Sequence, residues 1–417
     1  MEKWRNLSYR LLRSSERYFK TDMVYLVKGG FWLSISQVLT SLSSLVLAIA
    51  FANLLPKEIY GTYKYILSLV SVLAIFTLPG IETAVTQAIA RNLDGSFMTG
   101  FWTKVRWGLI GSVISLIAGG YYYVNGNFDL GLALFIAAVF LPLTNAFDLY
   151  NSILQGKKQF KFYTWCNSLT QIITTAALVS FIIFNQQVVK IVLVFFLANT
   201  IVNWLIFLLT KKTFLTNEAV DPVTVTYGKH LSVISFIGLI ADQLDQILIF
   251  HFLGAADLAI YVLAVAPTDQ LKGVIKNIPF LAFPKLANRP RAELRPAVLQ
   301  KALILGASMA IMVLGYIIVA PWFFQIFFPK YLASVHYSQV LALSLIFITP
   351  AIFLATFFES QVMTKEIYHY NISYNLISTI LLLPFIYWLG LWGAIIARLL
   401  TRAITLGYTL IIFDRQQ

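Results

Sequence analysis

Residues 230–253 read HLSVISFIGLIADQLDQILIFHFL. The run is long enough to cross a bilayer as a helix, for which about 20 mainly apolar residues suffice. Asp242 and Asp245 nevertheless sit well inside it, three apart on one helical face and interleaved with Gln243 and Gln246. A charge near the bilayer centre costs about 2.5–3.5 kcal/mol even on lenient insertion scales. These carboxylates therefore require a polar interior made by neighbouring helices. The same conflict recurs twice: Asp269, Lys272 and Lys276 form a stripe in window 258–282, and Arg398 and Arg402 lie four apart in window 391–413.

Composition agrees with a membrane chain. Hydrophobic residues make up 59% and charged residues 12% of the 417 residues, against about 25% charged in a soluble domain. Mean hydropathy is +0.77. About twelve windows are apolar enough to span: 29–53, 58–80, 104–124, 130–152, 162–184, 188–210, 230–253, 258–282, 301–320, 337–358, 367–388 and 391–413. The single Cys166 excludes an intrachain disulfide framework. The four histidines match no zinc spacing. No metal or cofactor is expected.

The net charge of +13 is distributed by loop. One side collects the basic N-terminal segment, then Arg91, Lys104 and Arg106, then Lys157, Lys158 and Lys161. It continues with Lys211, Lys212 and Lys229, then Lys285, Arg289, Arg291, Arg295 and Lys301, then Lys365 and Arg415. The other side has only Lys57, Lys190 and Lys330. Alternation of this kind marks membrane topology and not a nucleic-acid partner, and it places both termini in the cytoplasm. Residues 1–28 are expected to rest on anionic headgroups as an amphipathic segment.

The longest polar stretch between spans divides the chain, giving lobes at 29–210 and 230–417 around a linker at 211–229. A faint repeat supports the division, since the segment from Leu55 to Tyr63 parallels that from Leu253 to Tyr261 and Pro79…Arg91 parallels Pro279…Arg291. Repeats with an even number of spans are related by an axis along the membrane normal. In this reading Asp242, Asp245 and Asp269 are ion-coupling candidates. Lys272, Lys276, Arg398 and Arg402, with Lys64 and Gln37 opposite them, are ligand candidates. Cations outnumber acids, which suits an anionic cargo such as a phosphate or pyrophosphate. The competing reading pairs the charges with one another: Asp269 with Lys272, and Asp242 or Asp245 with Arg402. Lys64 is then expected to snorkel beside its tyrosines, the hydroxyls of window 29–53 to pack helices, and Asp148 to lie at headgroup level.

Several segments resemble bacterial polysaccharide exporters. Leu55-Pro56-Lys57-Glu58-Ile59-Tyr60-Gly61-Thr62-Tyr63 is similar to their L-x-P-x-x-Y-G-x-Y signature, and Leu154-Gln155-Gly156-Lys157-Lys158-Gln159-Phe160 to their L-Q-G-x-x-x-F loop. The stretch from Asp245 through Leu253-Gly254 to Tyr261 resembles the junction of the seventh and eighth spans. Leu389-Gly390-Leu391-Trp392-Gly393-Ala394 resembles the turn before the last span. The family usually has glycine before the isoleucine-tyrosine of the eighth span; here it is Ala259.

The chain thus resembles a Wzx-type O-antigen/polysaccharide flippase of the multidrug/oligosaccharidyl-lipid/polysaccharide exporter superfamily. The resemblance implies an all-α polytopic protein with about twelve transmembrane helices in two six-helix lobes, V-shaped around a central cavity. It implies alternating access that carries undecaprenyl-pyrophosphate-linked oligosaccharide from the cytoplasmic to the outer leaflet of the bacterial cytoplasmic membrane. The implied partners are that lipid-linked oligosaccharide, membrane lipids, and the polysaccharide polymerase and chain-length regulator that would act on it. It also implies Asp245 as the acidic position of the seventh span and Arg398 and Arg402 as cavity cations. A multidrug antiporter of the same superfamily would need an acidic or neutral cavity. A polymerase or glycosyltransferase would need a large external loop, and the longest candidate is 321–336. No nucleotide-binding glycine loop is present, so an enzyme is not expected.

Overall fold

The computed structural model describes residues 23–275, 286 and 291–415. Its helices are α1 (Met23–Leu54), α2 (Lys57–Leu73), α3 (Gly80–Ala90), α4 (Ser96–Val124), α5 (Phe128–Phe147), α6 (Tyr150–Gly156), α7 (Phe160–Phe184) and α8 (Val188–Phe214). After an irregular linker come α9 (Thr224–Leu253), α10 (Ala255–Ile275), α11 (Arg291–Phe327), α12 (Ser334–Ser360) and α13 (Thr364–Asp414). No strand is present among the described residues.

Thirteen helices give twelve crossings because two crossings are bent and one helix is double. The second crossing runs through α2, a 3-10 turn (Ala74–Thr77) and α3. Window 58–80 therefore stops about ten residues short of the observed end. The bend lies at Leu78, held at φ 55° directly before Pro79; proline disfavours helical geometry in the residue that precedes it. The fourth crossing joins α5 to α6 across Asp148 and Leu149. Helix α13 breaks at Gly390, where φ is +60°, a conformation glycine adopts without steric cost. Gly393 then lies directly against the Phe385 carbonyl, so the chain folds back on itself as the quoted turn motif implied. The connection from α11 to α12 covers only residues 328–333, much shorter than the expected 321–336, because α11 continues through Pro321 to Phe327.

The first six crossings form one lobe and the last six the other. Chain alternation puts Lys157, Lys211, Lys229 and Lys301 at one end, called here the basic end. At the opposite, far end the two lobes share one apolar core that includes Phe51, Tyr60 and Tyr63 from the first lobe and Tyr261, Phe324, Tyr331 and Ile395 from the second. Toward the basic end this core divides. Leu78, Ile81, Phe97, Tyr150 and Phe207 pack within the first lobe. Leu286, Val298, Phe357 and Phe413 pack within the second.

Polar contacts follow the same gradient. At the far end Asn53 Nδ2 donates to the Phe327 carbonyl (2.9 Å), and Lys330 Nζ donates to the Asn53 carbonyl (2.6 Å). Tyr65 stacks on Phe250 at 3.7 Å, and the Gly61 backbone lies against the Ala255 carbonyl. The seam of α2 and α3 with α9 continues downward through Ser68 Oγ to Gln246 Oε1 (3.0 Å) and the Gly80 amide to Ser232 Oγ (3.0 Å). Among the described residues no hydrogen bond or ion pair joins α1 to α10, although Gln37 reaches over Gly273. The lobes are thus joined at one end and along one side.

The linker is fastened to the first lobe. Arg91 donates to Asp221 (2.5 Å), Ser96 Oγ accepts the Asp221 amide (2.8 Å) and Gly95 donates to Ala219 (2.9 Å). Asp94, wholly buried, contacts Lys157 (2.8 Å) and accepts from the Thr216 amide (2.9 Å) and hydroxyl (3.1 Å). Burial would push its carboxyl up, but Lys157 and Thr216 outweigh burial and hold it below the usual range. Asp221 is likewise held low, first by the Val223 amide and then, against some burial, by Arg91.

Candidate functional site

In the second lobe the charges form one buried network. Asp245 on α9 is 1% exposed. It accepts from the Tyr261 hydroxyl of α10 (2.5 Å) and the Gln246 amide (2.7 Å), and it pairs with Arg398 of α13. The Arg398 guanidinium also lies over the Tyr261 ring, 5.5 Å from its centroid. Three helices are therefore tied at one carboxylate. This corrects the expectation that Asp245 or Asp242 pairs with Arg402. Four residues separate the two arginines on one helix, and it is Arg398 that reaches α9. A small cavity of about 30 Å³ beside the network is lined by Asp242, Asp245, Tyr374, Ser378, Arg398 and Thr401, among others. Asp242 is exposed and pairs with no cation among the described residues.

The remaining candidates separate into paired and unpaired. Lys272 donates to Asp269 (2.6 Å) within α10, and Asp269 stays half-exposed. Arg402 is 4% exposed, donates to Ser344 Oγ of α12 and has no carboxylate within ion-pair distance among the described residues. Lys64 lies beside the tyrosines next to which it was expected to snorkel outward. Tyr60, Tyr63 and Tyr65 are themselves buried, and Lys64 stays partly buried with Nζ 5.8 Å from the Tyr60 ring centroid. Gln37 is exposed and donates to Ser41 (3.2 Å). Lys276, Pro279 and residues 1–22 lie outside the described residues.

A second polar site takes in Asn145 and Asp148, part of a polar stripe in the fourth crossing that the sequence shows, and joins them to residues of other helices that it does not. The first lobe holds a cavity of about 290 Å³ lined by Thr40, Thr144, Asn145, Asp148, Tyr150, Asn167, Thr170, Gln171, Asn199 and Asn203. Asp148 lines this cavity. Thr40 lines it too, with its hydroxyl donating to the carbonyls of Ser36 and Gln37 on its own helix. Ser44 accepts from Gln171 (3.3 Å), bridging α1 to α7. Lys104, expected in a basic loop, is inside α4, 1% exposed, and pairs with Glu82 of α3 at 2.5 Å. The helix begins eight residues before the window did. The available signal was one pair of asparagines a helical turn apart, Asn199 and Asn203, with Asn145 and Asn167 isolated on other helices.

With both sites in place, the chain can be compared with known proteins. The pattern of a family described as polysaccharide biosynthesis protein matches residues 26–289, more than half of the chain. The chain belongs to the polysaccharide biosynthesis protein family. Among solved structures, the MATE multidrug transporter DinF-BH, solved as a complex, superposes with a TM-score of 0.65 at 14% identity, covering 94% of this chain and 95% of that one. A MATE in complex with MaD5 gives 0.63 at 13% identity over the same shares. An inward-facing multidrug resistance MATE family transporter of the MOP superfamily gives 0.59 at 13% identity, covering 93% and 98%. At such identities the likeness establishes the fold: this family member is a multi-pass membrane protein with the two-lobe MATE architecture. A comparison with curated proteins found no match.

Proposed function

We propose that the protein is a flippase for undecaprenyl-pyrophosphate-linked oligosaccharide. It sits in the bacterial cytoplasmic membrane with both termini in the cytoplasm, and its product goes to a polysaccharide polymerase and its chain-length regulator. The reading is carried by one observation: the lobes share a single apolar core at the far end and have separate cores at the basic end. With the basic end cytoplasmic, the space between the lobes opens inward. The seam between α1 and α10, free of hydrogen bonds and ion pairs among the described residues, is where a polyprenyl chain would remain in lipid while its headgroup enters. Family membership supports a saccharide cargo.

The charges suit the headgroup. Once the ion pairs of Asp245 and Asp269 are drawn, among the described residues Arg402 and Lys64 remain without carboxylate partners and Asp242 remains without a cation. A diphosphate entering from the basic end meets an excess of positive charge in a low-dielectric setting, where each contact is worth more than in water. Arg402 can offer a planar pair of donors, and Lys64 a point charge. Return of the empty protein requires the charges to be satisfied internally, and Arg398 with Asp245 already does this.

The test is genetic and then biochemical. In a strain lacking its own flippase, Arg402→Ala and Asp245→Asn should each reduce surface polysaccharide while the protein reaches normal membrane levels. Full complementation by both variants sinks the assignment of this network to cargo or coupling. In proteoliposomes the wild type should move the lipid-linked oligosaccharide across leaflets and leave a cationic dye in place; dye efflux without lipid movement would make it a drug antiporter.

A further inference from the structure

The cavity of the first lobe has a repeated arrangement that headgroup charge does not explain. Asn145 on α5 donates through Nδ2 to the Leu141 carbonyl (3.0 Å), Asn167 on α7 to the Tyr163 carbonyl (3.0 Å) and Asn199 on α8 to the Phe195 carbonyl (2.9 Å). Each amide thus has a donor engaged by its own helix, one turn back. Each Oδ1 is left with no partner among the described residues, on a residue that lines the cavity. Asn203 is reversed: its Oδ1 accepts from Thr170 (3.4 Å), and its Nδ2 is the free group. Asp148 accepts from Asn151 through Oδ1 (2.9 Å) and keeps Oδ2 free. The cavity therefore presents several free acceptors together with free amide donors, the second N–H of Asn145 and of Asn199 and the N–H groups of Asn203, from three helices around one space.

That pattern selects a ligand rich in O–H groups. Pyrophosphate does not fit, because the wall carries the Asp148 carboxylate and no lysine or arginine. A lone cation would suit carbonyl oxygens, but it needs them within about 2.6 Å on all sides. The cavity of about 290 Å³ holds about ten waters at roughly 30 Å³ each. A pyranose, with about twelve non-hydrogen atoms, is near that size. We propose that this cavity binds a neutral pyranose of the saccharide cargo. The second lobe then holds the diphosphate while the first lobe reads the sugar. The proposal rests on the flippase reading for the origin of its ligand. It predicts selectivity, because a site built to bond hydroxyls leaves buried polar groups unpaired when a deoxy analogue enters.

Cys166 is the only cysteine in the chain, and this permits a direct test. In the full-length protein carrying Cys166→Ser, Thr170→Cys places a thiol at the cavity wall, and Asn199→Cys supplies an independent second position. Labelling by a maleimide is followed with glucose, galactose, N-acetylglucosamine or rhamnose present, and separately with glucuronate, pyrophosphate, or sodium chloride against choline chloride. At least one of the four neutral sugars should slow labelling, by about tenfold when its concentration is ten times its Kd, and Asn203→Ala should abolish the protection. Protection by sodium, glucuronate or pyrophosphate in place of the neutral sugars overturns the proposal, as does no protection by any of the four. Ser378→Cys, in the second lobe, should be protected by undecaprenyl pyrophosphate. Loss of that protection with sugar protection intact would overturn the flippase reading and leave the sugar cavity standing, and the converse result would overturn the cavity alone.

Discussion

In the second lobe the polar interior is charged and tied together: Asp245, Arg398 and Tyr261 connect three helices at one point, beside a cavity of about 30 Å³. In the first lobe the polar interior is mostly neutral and open, an amide-lined cavity of about 290 Å³ with a single charged residue in its wall. Both lobes are six-crossing bundles of the same architecture. The contrast shows that architecture does not fix the chemistry of the interior. In the second lobe Asp245 meets Arg398 and Asp269 meets Lys272, whereas the first lobe's amides satisfy one group on their own helix and keep another for a ligand.

The comparison can be broken most directly at Arg398. Arg398→Ala strands the buried Asp245 carboxylate, and removing one member of a buried pair costs about 3–5 kcal/mol. The unfolding midpoint in detergent should fall sharply. Arg398→Met combined with Asp245→Leu should recover most of the loss, because an apolar pair of similar volume needs no compensation. A midpoint unchanged by the single substitution would mean that the network is not a fastening at all.

The buried pair of the first lobe sharpens the contrast by its asymmetry. Lys104 is 1% exposed while Glu82 is 41% exposed. Glu82→Gln leaves an ammonium group unpaired in the interior and should cost about 3 kcal/mol, near the lower end for breaking a buried pair. Lys104→Met leaves a carboxylate that water can reach and should cost about 1 kcal/mol or less. Equal losses in thermal unfolding would contradict this reading. The cavity amides come next: Asn167→Ala and Asn199→Ala should each shift stability by no more than about 1 kcal/mol, since water can replace a cavity hydrogen bond.

The smallest expected effect concerns the linker, whose pairs join it to the first lobe. Asp94 and Asp221 are both held below the ordinary carboxylate range. A group with a lowered folded-state value contributes its full stability above its unfolded value, about 3.9 for aspartate, and loses it as pH falls through the folded value. Protease sensitivity of the linker should therefore stay flat from pH 8 to about 5 and rise only below about 4. A rise near pH 6 would mean that some other group controls the linker.

How far these features were legible depended on the size of their energetic signal. Twelve crossings could be read because a bilayer-spanning helix must be apolar over its whole length, and the turn at Gly390 because its glycines are closely spaced. Asp245 and Arg398 stood out because charge in such a stretch is costly. Which arginine meets Asp245 depends on helix rotation, which one sequence does not encode visibly. Lys104 was misplaced since its partner Glu82 lies in α3, beyond a bend at Leu78 that Pro79-Gly80 marks without giving its direction. The amide cavity stayed hidden because Asn145, Asn167, Asn199 and Asn203 sit on three helices and are brought together only by packing.

At the far end, a β-carbon built on Gly61 would overlap the Ala255 carbonyl oxygen, well inside any real contact. The joint between the lobes shuts there because residue 61 has no side chain. Anything larger acts as a doorstop. Since a protein's conformations are populated by their relative free energies, a valine at this position would leave the molecule resting ajar at the end that is now closed. One hydrogen in place of a methyl group thus sets the resting pose of a two-lobed machine, at a site distant from both of its polar chambers.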